Sequence, residues 1–210
     1  MKLNALTAGL ALVALSPAHA ALTNNPFDIV GPMSVVNFEA FDGLITTGPQ
    51  LVAPNLVFTG DTGSVLGAFI ADLGDNGLWG AGNRFASTAF VGELRFTFTG
   101  NLVSQGAGAL VNHIAFGGLP FQVVISAYGE NNQIIETHSV TVDTPDTSLN
   151  EGVFVGIVRP QADIRSISFK GNSVVVDNLG FTAPVPEPGT YALLLAGLAS
   201  IAFIARRRRD

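Results

Sequence analysis

Between Leu94 and Thr99 apolar and polar residues alternate without a break, so Leu94, Phe96 and Phe98 face one way and Arg95, Thr97 and Thr99 the other. A period of two is that of a half-buried strand. The same alternation puts Phe121, Val123, Ile125 and Ala127 on one face of a strand ending at Tyr128. Gly129-Glu130-Asn131-Asn132 then supplies turn residues before Gln133 to Val142, which predicts a hairpin. Val35 to Phe41, Leu56 to Thr59, Gly152 to Val158, Ile164 to Phe169 and Val174 to Phe181 are further predicted strands. With about eight short strands and no long helical period, the expected fold is all-β, an antiparallel β-sandwich of the jelly-roll kind. Gly60 to Phe90 is the least regular part. Its stretch Gly74 to Asn83 is too glycine-rich for a strand interior, so the whole segment is expected to be a long loop. Repeats of fixed period, the mark of solenoids and propellers, are missing.

The two ends depart from this pattern. Met1 and Lys2 precede the apolar stretch Ala5 to Leu15, followed by Ser16-Pro17 and Ala18-His19-Ala20. A charged start, an apolar centre and two small residues, Ala18 and Ala20, form a secretory signal peptide over residues 1–20, cut after Ala20 by signal peptidase. Export of the rest follows. At the other end, Pro184-Val185-Pro186-Glu187-Pro188-Gly189 cannot continue a strand ladder, because proline lacks the amide donor and keeps its predecessor extended. Tyr191 to Ala205 is then apolar or small except for Ser200, and Arg206, Arg207, Arg208 and Arg209 follow directly. As a helix this stretch rises only about 22 Å against a hydrocarbon core of ~30 Å, so Thr190 and snorkelling arginines must extend it. The expected transmembrane helix is 190–205, with the arginines as a cytoplasmic stop-transfer cluster and the body on the exported side. The organisation is thus a signal peptide (1–20), a β-sandwich ectodomain (21–183) and a tail (184–210).

Composition sharpens what the body can do. On the order of 160 residues remain between the two ends, enough for one core. Lys2 and the four tail arginines are half of the 10 basic residues, leaving the body Arg84, Arg95, Arg159, Arg165 and Lys170. Of the 16 acidic residues, all but Glu187 and Asp210 lie between Asp28 and Asp177. A body of this charge repels nucleic acid and anionic lipid and attracts divalent cations. There is no cysteine, so thiol chemistry and disulfides are excluded and burial or metal must hold the fold. Plentiful glycine and phenylalanine with almost no lysine suit short strands and tight turns.

Pro186-Glu187-Pro188, an apolar helix and an arginine cluster, adjacent and C-terminal, resemble the PEP-CTERM sorting domain. The resemblance implies that an exosortase, an integral-membrane cysteine peptidase, recognises the tail and cleaves near Pro186-Glu187-Pro188. It also implies a Gram-negative-type bacterium that makes exopolysaccharide, with the protein passing the inner membrane to the outer surface or the extracellular matrix of a biofilm. A non-enzymatic surface protein is the expectation. Left open is a tail that stays uncut, anchoring a carbohydrate- or calcium-binding module by a single span.

Within the body, alternation from Val174 puts Asp177 on the face of Val175, Leu179 and Phe181, and Glu39 falls in a similar setting between Phe38 and Phe41. A carboxylate on an apolar face needs a partner. A first-strand glutamate paired with a last-strand aspartate resembles the jelly-roll carbohydrate-binding modules, in which such a pair binds structural calcium. Calcium takes six to eight oxygens, so Glu39 and Asp177 with backbone carbonyls are a candidate shell; otherwise both acids are simply solvated. Trp79 beside Asp75, Asn76 and Asn83 has the aromatic face and polar partners of a sugar site, and equally the bulk to pack its loop onto the sandwich. Asp61-Thr62-Gly63-Ser64 looks like the aspartic-protease motif, but that chemistry needs two carboxylates sharing a proton, and Asp143-Thr144-Pro145 and Asp146-Thr147-Ser148 lack the glycine. A turn is the simpler reading, with a hydrolase using Asp61 as the alternative. His113 and His138 lack metal-ligand spacing, and Gly106-Ala107-Gly108 lacks the rest of a dinucleotide fingerprint.

Overall fold

The computed structural model describes residues 20–116 and 122–182; the signal peptide before Ala20 and the whole sorting tail lie outside them. In chain order the strands are β1 (Ala21–Thr23), β2 (Met33–Val36), β3 (Leu44–Ile45), β4 (Gln50–Ala53), β5 (Leu56–Gly60), β6 (Val65–Asp72), β7 (Leu78–Ser87) and β8 (Val91–Phe98). They continue with β9 (Gly106–Asn112), β10 (Gln122–Tyr128), β11 (Ile134–Thr141), β12 (Val153–Val158), β13 (Ser166–Asn172) and β14 (Val175–Thr182). The first sheet runs β1-β12-β9-β14-β7-β6-β3, with β2 also paired to β14, and the second runs β11-β10-β13-β8-β5-β4. Named strand pairs are antiparallel throughout. The expected antiparallel sandwich is therefore present. From β8 onward the chain alternates between sheets, with the hairpin β10-β11 the exception.

The sheets close over one apolar core. Phe58 and Phe96 of the second sheet are fully buried and pack with ring centroids 5.6 Å apart, while Phe96 also meets Phe38 at 5.7 Å and Phe169 at 6.4 Å. Val36, Val176, Leu179 and Phe181 face them from the first sheet. Burying each such side chain contributes about 1.5–3 kcal/mol, so this phenylalanine cluster is the main cohesive element. A second, smaller cluster of Leu73, Trp79, Phe85 and Val175 forms on the first sheet away from that core.

Two expectations need correction. Gly60 to Phe90 is not a long loop: it holds β6 and β7, which pair with each other through two register shifts. Two glycines of the segment, Gly67 and Gly80, serve those irregularities. Gly80 has φ +123°, and a Cβ there would lie 2.2 Å from the Phe69 carbonyl oxygen; at Gly67, φ is +71° and a Cβ would lie 2.3 Å from the Phe41 carbonyl carbon. Only glycine fits such close backbone crossings. The first predicted strand stops at Val36 instead of Phe41, because Phe38 adopts φ 58°. Among the described residues no helix is long and apolar enough to cross a membrane.

Candidate functional site

β14 changes neighbours midway. Val175 and Val176 pair with Ser87 and Ala86 of β7, whereas Leu179 to Thr182 pair with Val36 to Met33 of β2. Asp177 and Asn178 lie at the changeover. Against β9 on the other side, Asp177 pairs with Leu110 but Gly180 already pairs with Gly108, so β14 carries an extra residue there. This is a β-bulge, and Asn178 takes the left-handed conformation at φ 49° that asparagine tolerates better than most residues. The bulge changes which residues share a face. Val176, Leu179 and Phe181 enter the main core while Val175 joins the smaller cluster, so Asp177 lies with Val175 and not with Leu179 and Phe181.

β7 is irregular at the same place. Phe85 pairs with Ala68 and Gly80 with Ile70, which leaves residues 81–84 looped out of the β6 register. From that loop the Asn83 amide Nδ2 donates to Asp177 Oδ2 at 2.8 Å, and the Arg84 backbone N–H donates to Glu39 Oε1 at 2.8 Å. Phe38 holds the third side: its ring is locked in the core, and its left-handed backbone turns the next residue, Glu39, out to the surface beside Arg84. A bulky residue in that conformation costs on the order of 1–3 kcal/mol, which the surrounding aromatic packing must offset.

The electrostatics are unbalanced. Asp177 is 1% exposed. Its other donors are the Asn178 backbone N–H to Oδ1 at 2.7 Å and the Asn178 amide to Oδ2 at 3.3 Å. Burial pushes its carboxyl above the ordinary aspartate range; the bonds from Asn83 and Asn178 oppose this, and the charge of Glu39 adds to it. The arginine beside Asn83 does not help. Arg84 sends its guanidinium away, 3.0 Å from Asp42 and 3.5 Å over the Phe69 ring. Among the described residues no ion pair reaches Asp177.

The two carboxylates nominated from sequence are therefore close enough for one to bias the other, and Asn83 joins them. The remaining sugar-site candidates do not. Trp79 is fully buried in β7, edge-on to Phe85 at 6.4 Å, so its faces are closed to a ligand and its bulk serves packing. Asn76 is buried as a structural node: its amide donates to the His113 carbonyl at 2.9 Å, and its Oδ1 accepts from the Thr144 N–H at 3.1 Å. Asp75 lies on the exposed turn before β7, its backbone N–H bonded to the Ala115 carbonyl at 2.8 Å. Asp61 Oδ2 accepts from the Glu93 backbone N–H at 2.8 Å, which ties the turn after β5 to β8. It lines a cleft of about 150 Å³ with Thr59, Gly60, Glu93 and Arg95, and neither later Asp-Thr segment lines that cleft. Sequence reasoning missed Asn178 and Arg84. A hint was available for Asn178, since asparagine after a buried aspartate is suited to a left-handed bulge.

As a cation site the donor set is lean. Among the described residues no group of three or more histidine, aspartate or glutamate side chains gathers to hold a metal. Calcium here would draw on Glu39, Asp177, the Asn83 and Asn178 amide oxygens, backbone carbonyls and water. The residues fit in kind, because a buried carboxylate lacking a cationic partner is the group a hard cation compensates.

A search of curated proteins finds no match. Among solved structures, the CBM22-1 and GH10 modules of the Clostridium thermocellum endo-1,4-β-D-xylanase 10B, complexed with xylohexaose, match at 14% identity and a TM-score of 0.29. The match covers 73% of this chain and 28% of that one, and at that score it bears on neither fold nor ligand. The informative match lies in the tail. Residues 184–209 are a PEP-CTERM protein-sorting motif, the mark of an exosortase-sorted surface protein.

Proposed function

We propose that the chain is a non-enzymatic envelope protein: exported by its signal peptide, held briefly in the inner membrane by 190–205, and cut by an exosortase near Pro186-Glu187-Pro188. The sandwich is then delivered to the outer surface or matrix, where exopolysaccharide is the neighbouring polymer. The observation that carries this reading is the sorting motif at 184–209. Two features are in keeping with it. Cleavage after Ala20 leaves Ala21, the first residue of β1, as the new N-terminus, so every described strand lies within the mature chain. The acidic body, with Glu39 and Asp177 at the strand changeover, suits a structural calcium ion in the calcium-rich exterior.

The test is to replace Pro186, Glu187 and Pro188 together by alanine in the producing bacterium and fractionate the cells. Full-length protein should accumulate in the inner membrane. Unchanged appearance at the surface would overturn the sorting role.

A further inference from the structure

One end of the first sheet collects both exits of the chain. Ala21 pairs with Val158, Val158 with Gly106, and Thr182 with Met33, while the Gly106 N–H donates to Thr182 Oγ1 at 3.2 Å. Ala21, Val158, Gly106, Thr182 and Met33 thus form one row at the sheet end, and the N-terminus of the mature chain lies about three strand spacings, roughly 14 Å, from the root of the tail. Between β1 and β2 the chain crosses this row through the 3-10 turn Pro26–Asp28. Ile29 is buried there, in reach of Gly106, and Gly31 lies against Thr182. Other side chains of this crossing are exposed: Phe27 is 88% exposed, Val30 77% and Met33 41%, the last with its sulfur lying back over Gly180. Residues 20–83 contain neither lysine nor arginine, and the one acid in this crossing, Asp28, is hydrogen-bonded to Thr23. The outer face of the sheet at this end is therefore apolar without a basic collar.

Where the chain goes next says what faces this end. Seven residues, 183–189, separate Thr182 from the start of the apolar stretch. Even fully extended, seven residues span at most about 25 Å. While the tail is inserted, the row at Thr182 cannot leave the vicinity of the lipid surface, whereas the far end of β14 is about another 25 Å away. A tether fixes distance but not orientation. Exposed phenylalanine, valine and methionine on the tethered end supply the orientation, because they gain by leaving water for the headgroup–acyl boundary.

The geometry points to a membrane-contacting surface formed by Phe27, Val30 and Met33, which seats the tail-bearing end of the body on an uncharged lipid interface until the tail is cut. The inference rests on the reading that 190–205 enters the membrane. On that reading Pro186-Glu187-Pro188, two residues before the helix, lies at the membrane surface through its place in the chain, and the seated body fixes what stands beside it. Once the tail is severed, three side chains alone leave a weak hold, and the body departs.

The chain has no cysteine, so single spin labels can be placed cleanly. The experiment uses the full mature chain with its tail, reconstituted in phosphatidylcholine vesicles, labelled at Val30→Cys or at Phe90→Cys. Phe90 is 73% exposed in the turn after Ser87, beside Val175 at the opposite end of β14, and serves as the apolar control. The label at 30 should be several-fold more accessible to oxygen than to a water-soluble nickel chelate, with the reverse at 90, and Phe27→Asp should return the label at 30 to water. Co-flotation with vesicles while both labels remain water-accessible would overturn the surface and leave the tail reading intact. Failure of the full chain to float at all would sink both. Dipolar broadening at 30 that persists at high lipid-to-protein ratio would assign the patch to a second copy and likewise overturn it.

Discussion

The two sheets obey different rules. The second keeps a continuous register through its centre: β13 pairs with β8 from Ser166 opposite Thr97 to Asn172 opposite Val91 without a shift, β5 and β10 follow in the same way, and the register shifts lie only in the outer pairs β10-β11 and β4-β5. The first breaks register in β6-β7 and in β9-β14, changes the neighbour of β14, and holds Phe38 and Asn178 in left-handed conformations. Regularity and irregularity are allotted to different work. A continuous ladder with alternating faces maximises apolar burial, and the second sheet supplies Phe58, Phe96 and Phe169 to the core. An interrupted ladder leaves side chains such as Asp177 and Asn83 free to meet where β14 and β7 cease to pair, which is how bulges come to lie beside sites.

The largest expected effect tests the regular side. Phe96→Ala should cost about 3–5 kcal/mol in urea unfolding, through lost transfer energy and the cavity left among Phe38, Phe58 and Phe169. That loss should be the same with and without calcium. On the irregular side, chelation should lower the stability of the wild-type body. If calcium is present at a hundredfold its dissociation constant, the loss is about 2.7 kcal/mol. Asp177→Ala should remove the sensitivity, and an equal response of wild type and variant to chelator would break the assignment.

A third expectation concerns pH. In the metal-free protein the folded-state pKa of Asp177 lies above its unfolded value, so the folded chain binds more protons between the two. Its contribution to stability is therefore fully present below the ordinary aspartate value and lost as pH rises through the raised folded value. Differential scanning calorimetry of wild type against Asp177→Asn in chelator should show this slope in wild type alone, and calcium should suppress it. The smallest effect belongs to a clamp between the sheets. Arg159, just beyond β12, bonds Asp163 at 2.8 Å and reaches Glu136 of β11 at 3.2 Å. Its guanidinium, by direct hydrogen bonding, holds the Asp163 carboxyl below its ordinary range. Arg159→Met should cost about 1 kcal/mol or less at neutral pH. The sign is opposite to that of Asp177: the contribution of the pair is present above the ordinary carboxylate range and lost as pH falls through the depressed value. A stability difference unchanged between neutral and acidic pH would show that packing, not charge, is what Arg159 contributes.

The same contrast explains what the sequence discloses. Leu94, Phe96 and Phe98 announce β8 because a strand with one buried face must alternate, and β10, β11 and β13 follow for the same reason. β7 was invisible because glycine, asparagine and tryptophan in Leu78 to Ser87 answer to backbone crossings and to a second cluster, which no period records. Glu39 and Asp177 were legible as carboxylates in apolar settings. Their link through Asn83 and Arg84 was not, because it depends on a one-residue bulge and a looped-out segment, and each of those shifts the face of every residue beyond it.

The tail was legible from residue order alone, since Pro186-Glu187-Pro188, the apolar stretch and the arginines follow one another along the chain. The most direct measurement of the account is the intact mass of the protein recovered from the outer surface or matrix of the producing cells. The expected product begins at Ala21 and ends near Pro186-Glu187-Pro188. A surface product that retains Tyr191 to Arg209 would contradict sorting by cleavage and establish the uncut single-pass anchor instead.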